Sequence, residues 1–254
     1  MTELLKPTIL RFDSIDSTNL EAMRQAKVGA PEGLCIIARE QTLGRGRLNR
    51  TWQSPRDSGL YFSIVLRPQL EISAWPLLTL MSALAVSDAL MKACGLRADI
   101  KWPNDLCFEE RKLCGILAET LETGIGLAAI VGIGINLRAD SLPETVSDMA
   151  TSVEAATGAL PDSTRILEVL VKAIGERYDL LQTPPGREHM IREWCANSSY
   201  AMGRRVRVTL GNDTFEGTTR GLESDGALRV ETSNGRIRIV RAGDVTALRA
   251  TIRN

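Results

Sequence analysis

Two apolar runs, Lys112 to Thr120 (KLCGILAET) and Leu127 to Asn136 (LAAIVGIGIN), flank a Thr123-Gly124-Ile125-Gly126 turn. Such runs, bounded by turn residues, read as an antiparallel hairpin. The second run carries Gly132 and Gly134. Glycine weakens a strand interior, so it marks a place where another backbone or a ligand comes close, or where strands simply need the room. Gly-Ile-Gly-Ile-Asn is not the Gly-x-Gly-x-x-Gly of dinucleotide-binding folds, and the chain has no Walker A sequence.

More strands surround the hairpin. Thr8 to Phe12, Leu34 to Ala38 and Leu60 to Leu66 are short apolar runs. Asp99 to Leu106 reads as a strand feeding a tight turn, since Pro103 breaks regular structure and leaves Asn104 and Asp105 in the turn. Asp13 to Asn19 is rich in helix-capping residues, followed by Leu20, Ala22, Met23 and Ala26 at helical spacing. A helix is expected over Ala74 to Cys94, with Pro76 in its first turn and Gly95 at its stop. Residues 140–151 read as loop. Ile166 to Leu181 reads as an amphipathic helix ended by Thr183-Pro184-Pro185-Gly186, and Arg187 to Cys195 as a shorter one.

The texture changes from Gly203. Five short β-rich runs (Arg205 to Leu210, Thr214 to Leu222, Ala227 to Glu231, Arg236 to Val240, Val245 to Leu248) alternate with Gly/Asn/Asp turns, which fits a small barrel. The expected domains are 1–198 and 199–254.

Bulk properties exclude several functions. Lys+Arg and Asp+Glu each number 31, so a dedicated nucleic-acid or membrane-surface binder is not expected. There is no unbroken apolar run of the length that spans a membrane and no secretory signal pattern at the N-terminus, so a cytoplasmic protein is the default. The five cysteines are scattered, which points to reduced thiols. The single histidine, His189, has no metal-ligand or triad partners near it, so no metal site is expected.

Chemistry concentrates at strand ends. Gln41 to Trp52 (QTLGRGRLNRTW) places Arg45, Arg47 and Arg50 on a glycine-hinged loop with one aromatic. Alone it reads equally as a cover for an anionic ligand or as solvated surface. Ser17-Thr18-Asn19, Lys101 to Asp105, Lys112 and Gly132 to Asn136 stand at other strand ends. Polar groups converging there mark a small-molecule site. A cation-rich inventory with no histidine base suits carboxylate and phosphate groups, and so acyl-adenylate formation.

Taken together, these motifs resemble the biotin protein ligase family. The match runs from about residue 10 to 137 through Ser17-Thr18-Asn19, the Gln41/Gly44 to Arg47/Arg50/Trp52/Ser54-Pro55 loop, Leu60-Tyr61 with Ser63, Lys101 to Asp105, Lys112-Leu113 with Gly115 to Leu117, and Gly132 to Asn136. The C-terminal β-rich segment matches the family's SH3-like domain. The resemblance implies an α+β fold: a mixed β-sheet flanked by helices, of the class II aminoacyl-tRNA synthetase/biotin synthetase type, with a small SH3-like β-barrel.

The resemblance further implies a ligase that converts biotin and MgATP to biotinyl-5′-AMP and then biotinylates one lysine of a biotin carboxyl carrier domain, of acetyl-CoA carboxylase or a related carboxylase. Ser17, Thr18, Asn19, Gln41, Gly44, Gly46 and Gly115 then contact biotin. Arg45 and Arg47 close on biotin and phosphate, and Lys112 contacts the biotin carboxylate and the acyl phosphate; these three are the catalytic assignments. Arg50, Trp52, Asn104 and Asn136 contact the nucleotide, and Asp105 is a candidate helper in the transfer step. A homodimer stays open. Only 16 residues precede Ser17, too few for a helix-turn-helix domain, so no repressor role is expected. One departure is Asp57, where many relatives have glycine. Lipoate or octanoyl transfer on a related fold, or a module that retains biotinyl-AMP without transferring it, are the competing readings.

Overall fold

The computed structural model describes residues 5–142 and 148–248. Its larger sheet contains β1 (Thr8–Phe12), β2 (Leu34–Ala38), β3 (Gly59–Leu66), β4 (Asp99–Lys101), β5 (Asp105–Phe108), β6 (Arg111–Thr123) and β7 (Gly126–Asn136). The order is β1-β2-β3-β7-β6-β5-β4. β1 and β2 are parallel and the other pairs antiparallel, which makes the sheet mixed. The expected hairpin is its centre.

Alternation assigns the two faces. Phe62, Ile64 and Leu66 of β3 and Val131, Ile133 and Ile135 of β7 point into the main core. There they meet α2 (Leu77–Cys94), α4 (Ser163–Leu181) and α5 (Pro184–Ala196). Each fully buried aliphatic or Phe side chain contributes roughly 1.5–3 kcal/mol, so this face carries most of the stability. The opposite face is covered by α1 (Thr18–Lys27), whose small Ala22 and Ala26 pack on Ile36, Val65 and Ile130. That face also carries Ser63, Gly132 and Gly134, and it is where polar groups collect.

The segment Ile72–Cys94, which contains α2, is long and apolar enough to cross a membrane by length and composition alone. Its Leu77, Leu78, Met81, Leu84, Ala85 and Leu90 are buried against the sheet and α4. This accounts for its apolar character as that of a core helix.

Two local expectations are corrected. β5 is a strand rather than part of a turn; its four residues are placed between β4 and β6 by their ladders. The Trp102-Pro103 peptide, which is cis, makes the turn before it. Thr183-Pro184-Pro185 opens α5 instead of merely closing α4: the Thr183 hydroxyl accepts the Gly186 N–H (3.2 Å), and proline is tolerated in a first turn because its missing N–H would be unpaired anyway. Within the expected 140–151 loop, 143–147 lie outside the described residues. The segment just after it forms a short α3 (Val153–Thr157), capped by Ser152 Oγ accepting the Ala155 N–H (3.1 Å).

The second sheet comprises β8 (Met202–Leu210), β9 (Asp213–Leu222), β10 (Leu228–Glu231), β11 (Ile237–Val240) and β12 (Asp244–Ala247), in the order β11-β10-β9-β8-β12. Among the described residues β11 and β12 are unpaired edges, so the ladder does not close into a complete barrel. The sheet is fastened to the larger one. Trp102 Nε1 donates to Gly226 O (3.0 Å), and Ser198 Oγ donates to Ile100 O (2.6 Å). A side chain on Gly226 would start 2.8 Å from Leu80, so the close approach requires glycine there.

Asp57 occupies a left-handed turn (φ 59°), a conformation that glycine adopts without strain and that Asp tolerates better than most residues. Its carboxylate is gripped by Arg39 through Nε (2.7 Å) and Nη2 (2.6 Å). That grip lowers the Asp57 pKa below the usual carboxylate range. A lowered folded-state pKa means stabilisation that is present above the unfolded value and lost as pH falls through the folded one. Asp57→Asn keeps the turn and loses the pair. It is expected to reduce the thermal midpoint at neutral pH, with the gap closing as pH falls below the carboxylate range. A gap independent of pH would contradict this.

Candidate functional site

The site begins with a row of residues that lack bulk. β7 Gly134 is paired with Gly115 of β6 on one side and Tyr61 of β3 on the other, while Gly132 faces Leu117 and Ser63. Trp52 lies on the first row. A Cβ on Gly134 would sit 2.5 Å from Trp52 Nε1, and one on Gly115 would be 3.0 Å from its ring. A Cβ on Gly132 would sit 2.1 Å from Asn19 Oδ1. These glycines let an aromatic and an amide lie directly on the sheet.

A cavity of about 250 Å³ opens beside this floor. Ser17, Thr18, Asn19 and Gln41 line it with Gly46 and Gly115; Arg45, Arg47 and Arg50 line it with Trp52; and Asn104, Asp105 and Lys112 complete the predicted set. Gly44 and Asn136 do not line it. Gly44 is needed for packing, because a Cβ there would meet Trp52 O at 2.2 Å. The Asn136 amide donates to Thr151 O (3.0 Å) and faces Lys112 O (3.5 Å), so it fastens the 149–151 segment to β6.

The neutral part of the site is one connected network. The Gln41 carbonyl accepts from the Thr18 N–H (2.8 Å) and lies 3.1 Å from its hydroxyl, while the Gln41 amide donates to Ser54 Oγ (2.8 Å). Ser63 Oγ donates to Asn19 Oδ1 (2.6 Å) and lies 2.7 Å from Thr18 Oγ1. The Asn19 amide donates to Glu119 (2.9 Å) and to Leu117 O (3.3 Å). Ser17 stands at the N-cap of α1, is 2% exposed, and makes no side-chain capping bond. Its hydroxyl therefore lines the cavity without serving the helix.

The cationic part lies in the loop and on β6. Arg45 pairs with Glu119 (3.0 Å). Arg47 donates to Asn104 Oδ1 (2.9 Å) and to Gly243 O (3.2 Å), and burial pulls its pKa down. Arg50 pairs with Asp244. Lys112 Nζ is 2.7 Å from Asp105 Oδ1 and 5.3 Å from the centre of a Trp52 ring. Trp52 Nε1 is buried and has no protein acceptor among the described residues. An unmet buried donor costs about 1–3 kcal/mol, so an acceptor arriving in the cavity would be welcome.

Sequence reasoning missed Glu119 and Asp244. Glu119 had a signal: it is an acidic residue in an apolar strand, two and four residues from Leu117 and Gly115 and so on their face. Asp244 had none, since it reaches the cavity from the second sheet. Together, the site can hold a neutral hydrogen-bonding head beside a cation-lined channel for anionic groups, with an aromatic between them. Gly134→Ala is expected to lift Trp52 off the sheet, shift its emission to the red and lower stability by about 1–3 kcal/mol, with far-UV circular dichroism unchanged. Unmoved emission would contradict the geometry.

The model of the biotin/lipoate A/B protein ligase family matches residues 11–136, and that of the biotin protein ligase C-terminal domain matches 201–246. A bifunctional ligase/repressor BirA of Bacillus spizizenii is 35% identical over 249 residues, covering 96% of this chain and 75% of the relative. A biotin–[acetyl-CoA-carboxylase] ligase of Paracoccus denitrificans is 35% identical over 236 residues, covering 91% and 96%. Among solved structures, a biotin protein ligase from Aquifex aeolicus in complex with biotin and ATP aligns with a TM-score of 0.82 at 31% identity, covering 96% of this chain and 99% of that one.

Proposed function

Because the chain belongs to the biotin/lipoate A/B protein ligase family, we propose that its cavity activates biotin with MgATP and passes it to a lysine of a biotin carboxyl carrier domain. The chain is a biotin protein ligase, and its substrates are biotin and ATP. The observation that carries the site assignment is the joining, in one cavity, of a neutral polar set to a cationic set across the Trp52 and glycine floor.

In the first step a biotin carboxylate oxygen attacks the α-phosphorus. An O–P bond forms, the bond to the β-phosphate bridge breaks, and pyrophosphate leaves. Two anions must meet, so Lys112, Arg45 and Arg47 lower the barrier by neutralising them. Ser17, Thr18 and Gln41 suit the ureido head, which is neutral and both donates and accepts. Arg50, Trp52 and Asn104 take the nucleotide. Asn19 acts through its bonds to Ser63 and Glu119 as much as by lining the cavity. Asn136 works from outside it by placing the backbone at Lys112. In the second step the carrier amine attacks the acyl carbon, an amide forms and AMP leaves. Asp105 orients the Lys112 ammonium for both steps.

Catalysis is assigned to 1–198 and the SH3-like part to 199–254. The reading places the chain in the cytoplasm, where ATP and carboxylases meet. It requires no nucleic acid and no membrane, and it leaves a homodimer open.

Incubation with biotin, MgATP and an apo carrier domain is expected to add one biotin to one carrier lysine, read by intact mass. Absence of that gain under saturating conditions would overturn the reading. Lys112→Ala is expected to slow adenylate formation by roughly 10²–10³-fold while changing biotin affinity far less. Equal losses in both would make the lysine a binding group only.

A further inference from the structure

The loop that carries Arg45, Arg47 and Arg50 is tied down at two separated places. At one, Arg45 is held by Glu119 on β6. At the other, Arg47 reaches Gly243 O and Arg50 pairs with Asp244. Gly243 and Asp244 lie at the turn from β11 to β12, on the second sheet, and Asp244 itself lines the cavity. That turn is fixed from behind. A Cβ on Gly243, whose φ is 131°, would meet Leu210 Cδ2 at 2.6 Å and Thr209 O at 2.7 Å, so the turn is pressed onto β8. Arg241, just before it, is paired with Asp225 at 2.9 Å.

We propose that the β11–β12 turn is a latch for the arginine loop, with Asp244 as the positioning residue that keeps Arg50, and through the shared backbone Arg47, over the cavity. What the latched loop retains, the acyl-adenylate, rests on the ligase reading above; the latch itself does not. The strength suits a moving part. Arg50 is 64% exposed and Asp244 34% exposed. A pair that open to solvent shifts an equilibrium by a few-fold at most, so the loop is biased towards closure and still opens for substrate. The second sheet thereby acquires a task in the reaction while remaining outside the chemistry.

The test compares full-length wild type with Asp244→Ala and Asp244→Glu. In the absence of ligand, trypsin should cut after Arg45 and Arg47 about two- to fivefold faster in Asp244→Ala, with Asp244→Glu near wild type. With biotin and MgATP, the adenylate should escape about two- to fivefold faster from Asp244→Ala, and the double variant with Arg50→Ala should lose no more than the worse single variant. Wild-type cleavage of the loop in Asp244→Ala, equal acceleration at tryptic sites outside the loop, or additive effects on escape would overturn the latch. If wild type forms no adenylate while Asp244→Ala still exposes the loop, the ligase reading falls and the latch stands.

Discussion

The contact on which this molecule depends is Trp52 against the paired glycines Gly115 and Gly134. The hairpin that carries them is the centre of the larger sheet, so its shape is set by the core on the other face. With side chains at these two positions the ring could not lie on the strands. Trp52 also closes the base of the arginine loop: its backbone N–H donates to Gly44 O (2.9 Å), and Ser54 Oγ donates to Trp52 O (3.1 Å). Seating the ring therefore sets the path of the loop and places its cations.

A second constraint works alongside it. Thr18, Asn19, Ser54 and Ser63 are all buried polar residues, and each is partnered. A partly satisfied buried network costs more than an apolar core, whereas a complete one fixes a single arrangement. The network runs from Ser54 through Gln41, Thr18, Ser63 and Asn19 to Glu119, and Glu119 is the partner of Arg45. The neutral pocket and the cationic loop are thus parts of one structure.

Much of this was legible in the sequence, and the reasons are physical. The strands Thr8–Phe12 and Leu34–Ala38 carry their own apolar pattern and appear where that pattern places them. β5 is mostly apolar but only four residues long, too short to show a period of its own beside Pro103, and it becomes a strand because β4 and β6 pair with it. The prolines at 184 and 185 read as a stop because their neighbours had already ended a helix, yet the same residues open the next one. The glycines, the loop arginines and Lys112 stood out because their residue types are costly or unusual where they sit. Asp244 did not, because its meaning depends on a fold that brings the second sheet to the loop. Asn136 could be assigned to the nucleotide from its motif, whereas its amide is committed to the backbone around Lys112.

The central claim is that one cavity joins a neutral head-group pocket to a cationic channel that activates a carboxylate. Its most direct test is exchange of labelled pyrophosphate into ATP by the purified chain. The account predicts exchange that requires biotin, is not supported by lipoate, and needs no carrier protein. Exchange supported equally by lipoate, or none with biotin, would contradict it.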